Sequence, residues 1–431
     1  MSRKRGNIIM THKLIIGIVG LGYVGLPLAQ LFINKGHKVY GIDSDQNKIS
    51  LLKKNTSYLA DFSNEQINEL FTNDLFSVST SYHYLSKVDA IIFCVPTPLN
   101  NLDEPDLQYV KGAIEAALPF LKKEQLLVLE SSTYPGTTEE EIVPLVQGKG
   151  WEVGKDIFVA YSPERINPGQ KVHKLEDIPK IVGGETKLCT NYAKEIYESV
   201  FNKVINVSSS KVAEVSKLVE NAQRLINISF MNELAILCDK LDVNIWEVIE
   251  ACSTKPFGFT PYFPGPGVGG HCIPVDPIYL SWKAKHHGVN LSFIQAAKKI
   301  NDNMPAFIVE KVTKHLLKPI NKNKILIIGV AYKKNVNDIR ESSAIQIFKL
   351  LDDLGIDVTY HDPHVPELSL GSVQQESLVL TEENIKIQDC VLILTDHNSV
   401  DYQNIIDHSN LVIDTRNVTS RYNQLDNVIL L

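Results

Sequence analysis

The chain has 431 residues, 44% hydrophobic and 22% charged, with a formal charge of −7. That length exceeds one ordinary core and predicts two or three domains, while the negative balance argues against a general nucleic-acid surface. No apolar run is long enough to span a bilayer, and the basic start leads into a Gly-x-Gly strand rather than a signal peptide, so neither a membrane nor a nucleic acid is an expected partner.

Residues 14–43 read as strand, glycine turn, helix and strand: LIIGIVG, then LGYVGLPLAQLFINKG, then HKVYGID. Gly20, Gly22 and Gly25 form a G-x-G-x-x-G pattern, and Asp43 ends the next strand. Glycines in that setting let a pyrophosphate reach the N–H groups of a helix N-terminus, and an acidic residue about 20 positions on accepts the ribose hydroxyls. The same carboxylate repels a 2′-phosphate, so NAD is favoured over NADP; the competing reading is a purely structural glycine turn. Buried-strand runs follow at DAIIFCV (89–95), LLVLES (126–131) and IFVAY (157–161), with helical stretches between them. This alternation predicts a mostly parallel sheet covered on both faces. Ser131-Ser132-Thr133 and, after the Ser162-Pro163 turn, Glu164-Arg165 fall at the carboxyl edge of that sheet, where α/β folds place ligands. Either segment is equally readable as a cap or turn.

Residues 208–242 contain no Gly or Pro, and their apolar residues recur at three and four, which predicts one long serine-capped helix. Lys217 and Asn221 share a face of it and would make a donor pair for an oxyanion. Alternatively Lys217 is solvated, and Glu220 with Arg224 is an ordinary ion pair.

Next comes Gly265-Pro-Gly-Val-Gly-Gly-His-Cys-Ile-Pro-Val-Asp276. It sets Cys272 in a loop where glycines allow close backbone approach, with Asp276 four residues on. A thiol held there can meet a bound electrophile; the alternative is a tight turn containing a small hydrophobe. The other cysteines, Cys94, Cys189, Cys238, Cys252 and Cys390, are widely spaced with no CxxC pair. Neither a metal site nor a disulfide framework is therefore expected, and a reducing cytoplasm fits. A second alternating block starts at Lys324, with strands KILIIGV, DVTYHD, CVLILT and LVIDT and a helix near Ser342–Leu354. It lacks G-x-G-x-x-G, so a nucleotide rather than a full dinucleotide is its expected ligand. Lys333, Lys334 and Arg340 follow its first strand and read as phosphate contacts or a solvated face; Arg416 closes its last.

Taken together, GLGYVGLPLA at 20–29, SPER at 162–165, KLVEN at 217–221, GVGGHCIPVD at 267–276 and YKKNVNDIRES at 332–342 resemble the UDP-sugar 6-dehydrogenase family over nearly the whole chain. The resemblance implies two Rossmann-like doubly wound α/β domains joined by a long central helix and helical segment. Its parts would be an NAD domain at 1–207, a central dimerisation domain with the catalytic loop at 208–310, and a UDP-sugar domain at 311–431. It implies a cytoplasmic homodimer or dimer-based oligomer that oxidises a sugar C6 alcohol to a carboxylate with two NAD, through a thiohemiacetal and thioester on Cys272. By the same analogy Lys217 and Asn221 stabilise oxyanions, Asp276 holds water or a proton, Glu164 assists hydrolysis and Thr133 helps place water and cofactor. Tyr23, Val24, Lys48, Thr97 and Arg340 join the glycines and Asp43 as cofactor contacts. Glu164, Arg165, Lys217, Asn221, Gly267, Gly269, Lys333 and Arg416 become substrate contacts. The stretches Ser162–Gly169 and Phe257–Gly265 are similar to members acting on UDP-N-acetylhexosamines, the gluco epimer first. UDP-glucose, the manno and galacto epimers, a two-electron hydroxyacid dehydrogenase and a non-catalytic NAD sensor are the alternatives.

Overall fold

The computed structural model describes residues 13–59, 62–72, 74–165, 174–270, 272–371, 373–423 and 426–431. The chain forms two compact units. One takes the residues up to Glu220 and Ile278–Val289; the other takes Asn221–Pro277 and Asn290–Leu431.

The first unit is built on eight strands: β1 (Ile15–Val19), β2 (Lys38–Ile42), β3 (Phe76–Ser79), β4 (Ala90–Phe93), β5 (Leu126–Leu129), β6 (Phe158–Tyr161), β7 (Lys180–Gly184) and β8 (Val204–Asn206). They lie in the order β3-β2-β1-β4-β5-β6-β7-β8. Pairing is parallel from β3 to β6, antiparallel between β6 and β7, and parallel again between β7 and β8. The continuous apolar runs of β1, β4 and β5 follow from burial on both faces, and Ile16, Ile18, Ile92 and Val128 sit in the core with no exposure. The helix Gly25–Asn34 links β1 to β2 and buries Leu26, Leu28, Ala29 and Phe32.

The long predicted helix runs from Ser210 to Leu241. Ser209 caps it, its hydroxyl accepting from Val212 N at 3.3 Å. Its early residues belong to the first unit and the rest to the second. The helix Asp276–His286 begins in the second unit and continues into the first. There Tyr279 donates to the Thr97 and Pro98 carbonyls, and Lys283 pairs with Glu140 at 2.6 Å.

The second unit carries an all-parallel sheet of β9 (Lys324–Ile328), β10 (Asp357–His361), β13 (Cys390–Ile393), β14 (Val412–Asp414) and β15 (Val428–Leu430) in the order β10-β9-β13-β14-β15. A hairpin of β11 (Glu367–Leu370) and β12 (Val373–Glu376) is separate from it. Four of the five sheet strands match the sequence reading, as does the helix Ser343–Asp353. The hairpin and β15 were not anticipated. No helix among the described residues is long and apolar enough to cross a membrane.

Candidate active site

In the first unit the chain leaves β1 through Gly20, whose φ of +94° suits glycine. Gly20 N donates to Ile42 O at 2.8 Å, and a Cβ here would lie 2.5 Å from Cys94 O. A Cβ on Gly25 would lie 1.9 Å from Gly20 O, whereas one on Gly22 would face open space. Val24 begins the helix Gly25–Asn34 with no side-chain cap and no acidic residue in the first turn, which suits an anion there. Asp43 is buried after β2. Its carboxylate accepts from Leu21 N at 2.9 Å and Asp45 N at 3.0 Å and pairs with Lys48 at 3.3 Å. Tyr23 packs against the core of this unit. Thr97 and Thr133 are buried beyond β4 and β5, and Thr133 Oγ1 has no hydrogen-bond partner among the described residues. A glycine turn in which Gly20 and Gly25 admit no side chain and Gly22 stands open, an uncapped helix start and an orphaned hydroxyl at the strand ends fit a bound dinucleotide.

Beyond β6 the chain places Glu164 and Arg165. Glu164 is buried, and its backbone carbonyl accepts from Lys217 Nζ. Lys217, too, is buried, which removes the solvated reading of this lysine. Arg165 pairs with Glu220 at 2.7 Å and donates to Pro179 O at 2.8 Å. Glu220 thus pairs with Arg165 rather than with the Arg224 considered from spacing. Sequence reasoning missed two groups here: Lys180 and Glu130, buried and paired at 2.8 Å. Fifty positions separate them, and neither lies in a motif.

In the second unit Asn221 Nδ2 donates to Asp276 Oδ2 at 2.6 Å. Asp276 is 1% exposed, and its N–H donates to Cys272 O at 2.9 Å, so a single turn joins thiol and carboxylate. Cys272 is exposed, whereas Cys189, Cys238 and Cys390 are buried. Burial pushes the Cys390 thiol up to about 12. Accessibility therefore singles out Cys272 from these three as a nucleophile. His271 and the turn 166–169, both weighed from the sequence, lie outside the described residues.

The loop before Cys272 is held by amides the sequence reading passed over: Asn232 accepts from Gly265 N at 2.9 Å, and Asn301 accepts from Val268 N at 2.6 Å. Its glycines are pressed on the second block. A Cβ at Gly267 would meet Ser343 at 2.4 Å, one at Gly269 the Glu341 carbonyl at 2.4 Å, and one at Gly265 the Arg416 guanidinium at 2.6 Å. Gly270 N donates to Arg340 O at 3.3 Å. Arg416 Nε donates to Leu394 O at 2.7 Å, and Arg340 pairs with Asp338 at 2.6 Å. Lys333, half-buried, lies in the same loop between β9 and the helix Ser343–Asp353 as Arg340. The structure thus brings Lys333, Arg340, Arg416 and the glycine loop into one unit. Arg340 is in the second unit, whereas the other cofactor candidates are in the first.

A dinucleotide cradle in one unit and a thiol–carboxylate–amide set in the other define an NAD-linked dehydrogenase with a candidate nucleophile. Models of the UDP-glucose/GDP-mannose dehydrogenase family match as its NAD binding domain over residues 14–201, its central domain over 211–303 and its UDP binding domain over 326–421. The protein CapL of Staphylococcus aureus is 40% identical over 94% of this chain and 96% of its own. UDP-N-acetyl-D-glucosamine 6-dehydrogenase of Pseudomonas aeruginosa is 36% identical over 81% and 83%. A solved UDP-N-acetylmannosamine dehydrogenase from Pyrococcus horikoshii superposes with a TM-score of 0.86 at 30% identity, covering 97% and 98%. The manno name recurs among other relatives, including those of Methanococcus maripaludis and Campylobacter jejuni. The chain belongs to the UDP-glucose/GDP-mannose dehydrogenase family. It is an NAD-dependent UDP-sugar 6-dehydrogenase.

Asp43 and Lys48 generate a prediction about the cofactor. Asp43→Ala removes a carboxylate opposed to a 2′-phosphate and releases Lys48 to meet one. The ratio of kcat/KM for NAD over NADP should fall at least about tenfold, or ~1.4 kcal/mol. Steady-state rates with each cofactor measure it, and an unchanged ratio would remove Asp43 from cofactor selection.

Proposed function

We propose that the protein oxidises C6 of a UDP-N-acetylhexosamine to the carboxylate through a covalent intermediate on Cys272. The observation that carries this reading is the exposed Cys272 one turn ahead of buried Asp276, whose carboxylate holds the Asn221 amide at 2.6 Å. When bound, NAD accepts a hydride from the sugar carbon in each of two successive oxidations. Asp276 takes the proton of the C6 hydroxyl, directly or through water, as the aldehyde forms. The Cys272 thiolate adds to that carbonyl carbon, while Lys217 and Asn221 donate to the alkoxide that develops. Loss of the second hydride and a proton leaves a thioester on Cys272. Glu164 takes a proton from the attacking water, and the thiol is released with the acid. A two-electron hydroxyacid dehydrogenase would have no use for Cys272. We read the domain division as that of the three family models, with Lys333, Arg416 and the backbone of Gly267 and Gly269 on the UDP-sugar and Arg340 beside the cofactor.

The covalent step predicts that Cys272→Ser loses full turnover while still binding NAD and UDP-sugar. Wild-type enzyme should form two NADH per sugar consumed, counted by absorbance against product. A serine variant that still gave two NADH at near wild-type rate would rule out the thioester.

For the sugar, we place the manno epimer first, because that name is carried by the solved structure that spans nearly the whole chain and recurs among relatives. The gluco epimer is the second reading, favoured by the P. aeruginosa relative and by Phe257–Gly265. A site built to hydrogen-bond the acetamido group leaves its own polar atoms unpaired with plain UDP-glucose. UDP-N-acetylmannosamine should therefore exceed UDP-glucose in kcat/KM by at least about tenfold, or ~1.4 kcal/mol. In an NADH assay over a UDP-sugar panel, equal rates with UDP-glucose would end the N-acetyl reading. Faster turnover of the gluco epimer would move only the stereochemistry.

We also propose a homodimer. Phe230, Leu237 and Leu241 stand exposed at 50%, 51% and 61% along one stripe of the helix Ser210–Leu241, and a second copy is the partner to which such a self-complementary stripe is suited. Leu237→Asp should shift the mass measured by light scattering towards that of one chain; an unchanged mass would place the interface elsewhere.

A further inference from the structure

The first unit buries more charge than the reaction above employs. Lys180 opens β7 at 3% exposure, and its ammonium nitrogen lies 2.8 Å from Glu130 Oε2, 3.3 Å from the Pro163 carbonyl and 3.8 Å from Glu164 Oε2. Glu130, just past β5, is 1% exposed, and its other oxygen accepts from the Tyr197 hydroxyl. The ring centroids of Tyr197 and Phe201 stand 5.2 and 5.5 Å from the ammonium. Burial alone would discharge Lys180, but Glu130 and then Glu164 reverse this and hold its pKa above the ordinary lysine value. Burial pushes the Glu130 carboxyl up, against the pull of Lys180.

Stability alone explains this poorly, because desolvating two charges can cost more than their attraction returns. Glu130 and Lys180 would serve as well replaced by two packed hydrophobes if a filled core were all that was needed. What an ammonium adds is a set of three directed donors. One is used on Glu130, and the other two are within reach of the Pro163 carbonyl and the Glu164 carboxylate. Lys217 holds the next carbonyl, that of Glu164 itself. Two lysines from different elements, β7 and the long helix, thus fix consecutive carbonyls around one side chain.

We propose that Lys180 is a positioning residue for Glu164. It fixes the Pro163–Glu164 backbone and the carboxylate, while Glu130 supplies the counter-charge that keeps a cation tolerable in this core. The proposal rests on the reading of Glu164 as the group that activates water. In that step the water oxygen bonds to the thioester carbon as Glu164 takes its proton. The C–S bond then breaks, and the departing Cys272 thiolate recovers that proton. A carboxylate displaced by about 1 Å can cost on the order of 10²-fold in rate. The two oxidations that precede hydrolysis do not use Glu164 as a base.

The test mixes full-length enzyme rapidly with NAD and UDP-N-acetylmannosamine, or the gluco epimer if it is turned over faster. It follows NADH and weighs the Cys272 peptide by mass spectrometry. Lys180→Met should keep a burst of about two NADH per site, fall about 10²-fold in steady-state rate and accumulate sugar acyl adduct on Cys272. Lys180→Arg should recover most of the rate. Because Lys180→Met leaves Glu130 buried alone, the double variant Glu130→Gln/Lys180→Met guards against simple misfolding; it should fold and remain slow with the adduct present. Wild-type turnover in the double variant would show that Lys180 merely neutralises Glu130 and would overturn the proposal. Glu164→Gln separates the two readings. Adduct in Glu164→Gln but not in either Lys180→Met protein would sink the role of Lys180 alone. No adduct in Glu164→Gln would remove the hydrolytic reading of Glu164 and this proposal with it.

Discussion

Both α/β blocks depend on the same close approach of backbone to backbone at the end of their first strand. Gly20 and Gly329 each leave that strand with positive φ, +94° and +81°. Each donates its N–H to the neighbouring strand, to Ile42 O and His361 O at 2.8 Å. A Cβ would run into Cys94 O in one block and Thr395 in the other, at 2.5 Å. An aspartate after the second strand then gathers the N–H groups of the turn: Asp43 takes Leu21, and Asp362 takes Val330 and Ala331. Here the blocks part. Asp362 Oδ2 takes both N–H groups and buried His397 at 3.0 Å, whereas Asp43 Oδ2 takes Leu21 N and Lys48. The first block further has Gly22 open to space and Gly25 against Gly20 O. The second has Val330 and Ala331 in the turn, both fully buried. The geometry of the turn is shared, but the glycine fingerprint that suits a dinucleotide belongs to the first block.

The glycines ahead of Cys272 need a different account from the one their spacing invites. Gly267, Gly269 and Gly270 read as a loop made for a ligand, yet the space their side chains would fill is taken by Ser343, the Glu341 carbonyl and the Tyr332 ring. They let the loop pack against the segment after β9 that carries Lys333 and Arg340. A substrate contact at Gly267 or Gly269 is then a contact with backbone, and the loop's position is inherited from the second block. Asn232 and Asn301 complete the clamp by accepting Gly265 N and Val268 N. The position of the loop that leads to Cys272 is in this way tied to the packing of the second block.

The sequence made most legible whatever lies close together along the chain. The glycine fingerprint with Asp43, the Lys217–Asn221 pair, the Cys272–Asp276 turn, and the strands β1, β2, β4, β5 and β6 of one sheet and β9, β10, β13 and β14 of the other all declare themselves within a few tens of residues. Contacts that close long loops left no trace. Lys180 meets Glu130 across fifty positions, and nothing in either local pattern marks a charge destined for the core. Arg165 finds Glu220 across 55 positions, where i, i+4 spacing had offered Arg224. The antiparallel turn of β7 against β6 was equally hidden, since its run KIVGG lies within a sheet otherwise read as parallel. β15 is three half-buried residues after a polar stretch, too short for periodicity to register.

Motif and burial together sort the thiols better than either alone. Cys94 and Cys390 sit at the ends and starts of apolar strands, and burial raises both thiols. At Cys94 the Glu130 carboxylate adds to the same effect. A nucleophile must be a thiolate within reach of its electrophile, so a raised thiol pKa works against both sites, and at Cys390 full burial closes access as well. Cys252 is exposed as well, but lies in the helix Ile245–Ser253, outside the glycine loop. Cys272 has access together with a buried carboxylate whose orientation is fixed by Asn221. That orientation matters because an unheld Asp276 could turn either oxygen to the reacting group, whereas the 2.6 Å bond holds Oδ2 against the amide. The helix from which Asn221 projects also carries Lys217 one turn earlier. Under the proposed mechanism one helix thus carries both the oxyanion donor and the amide that holds the carboxylate.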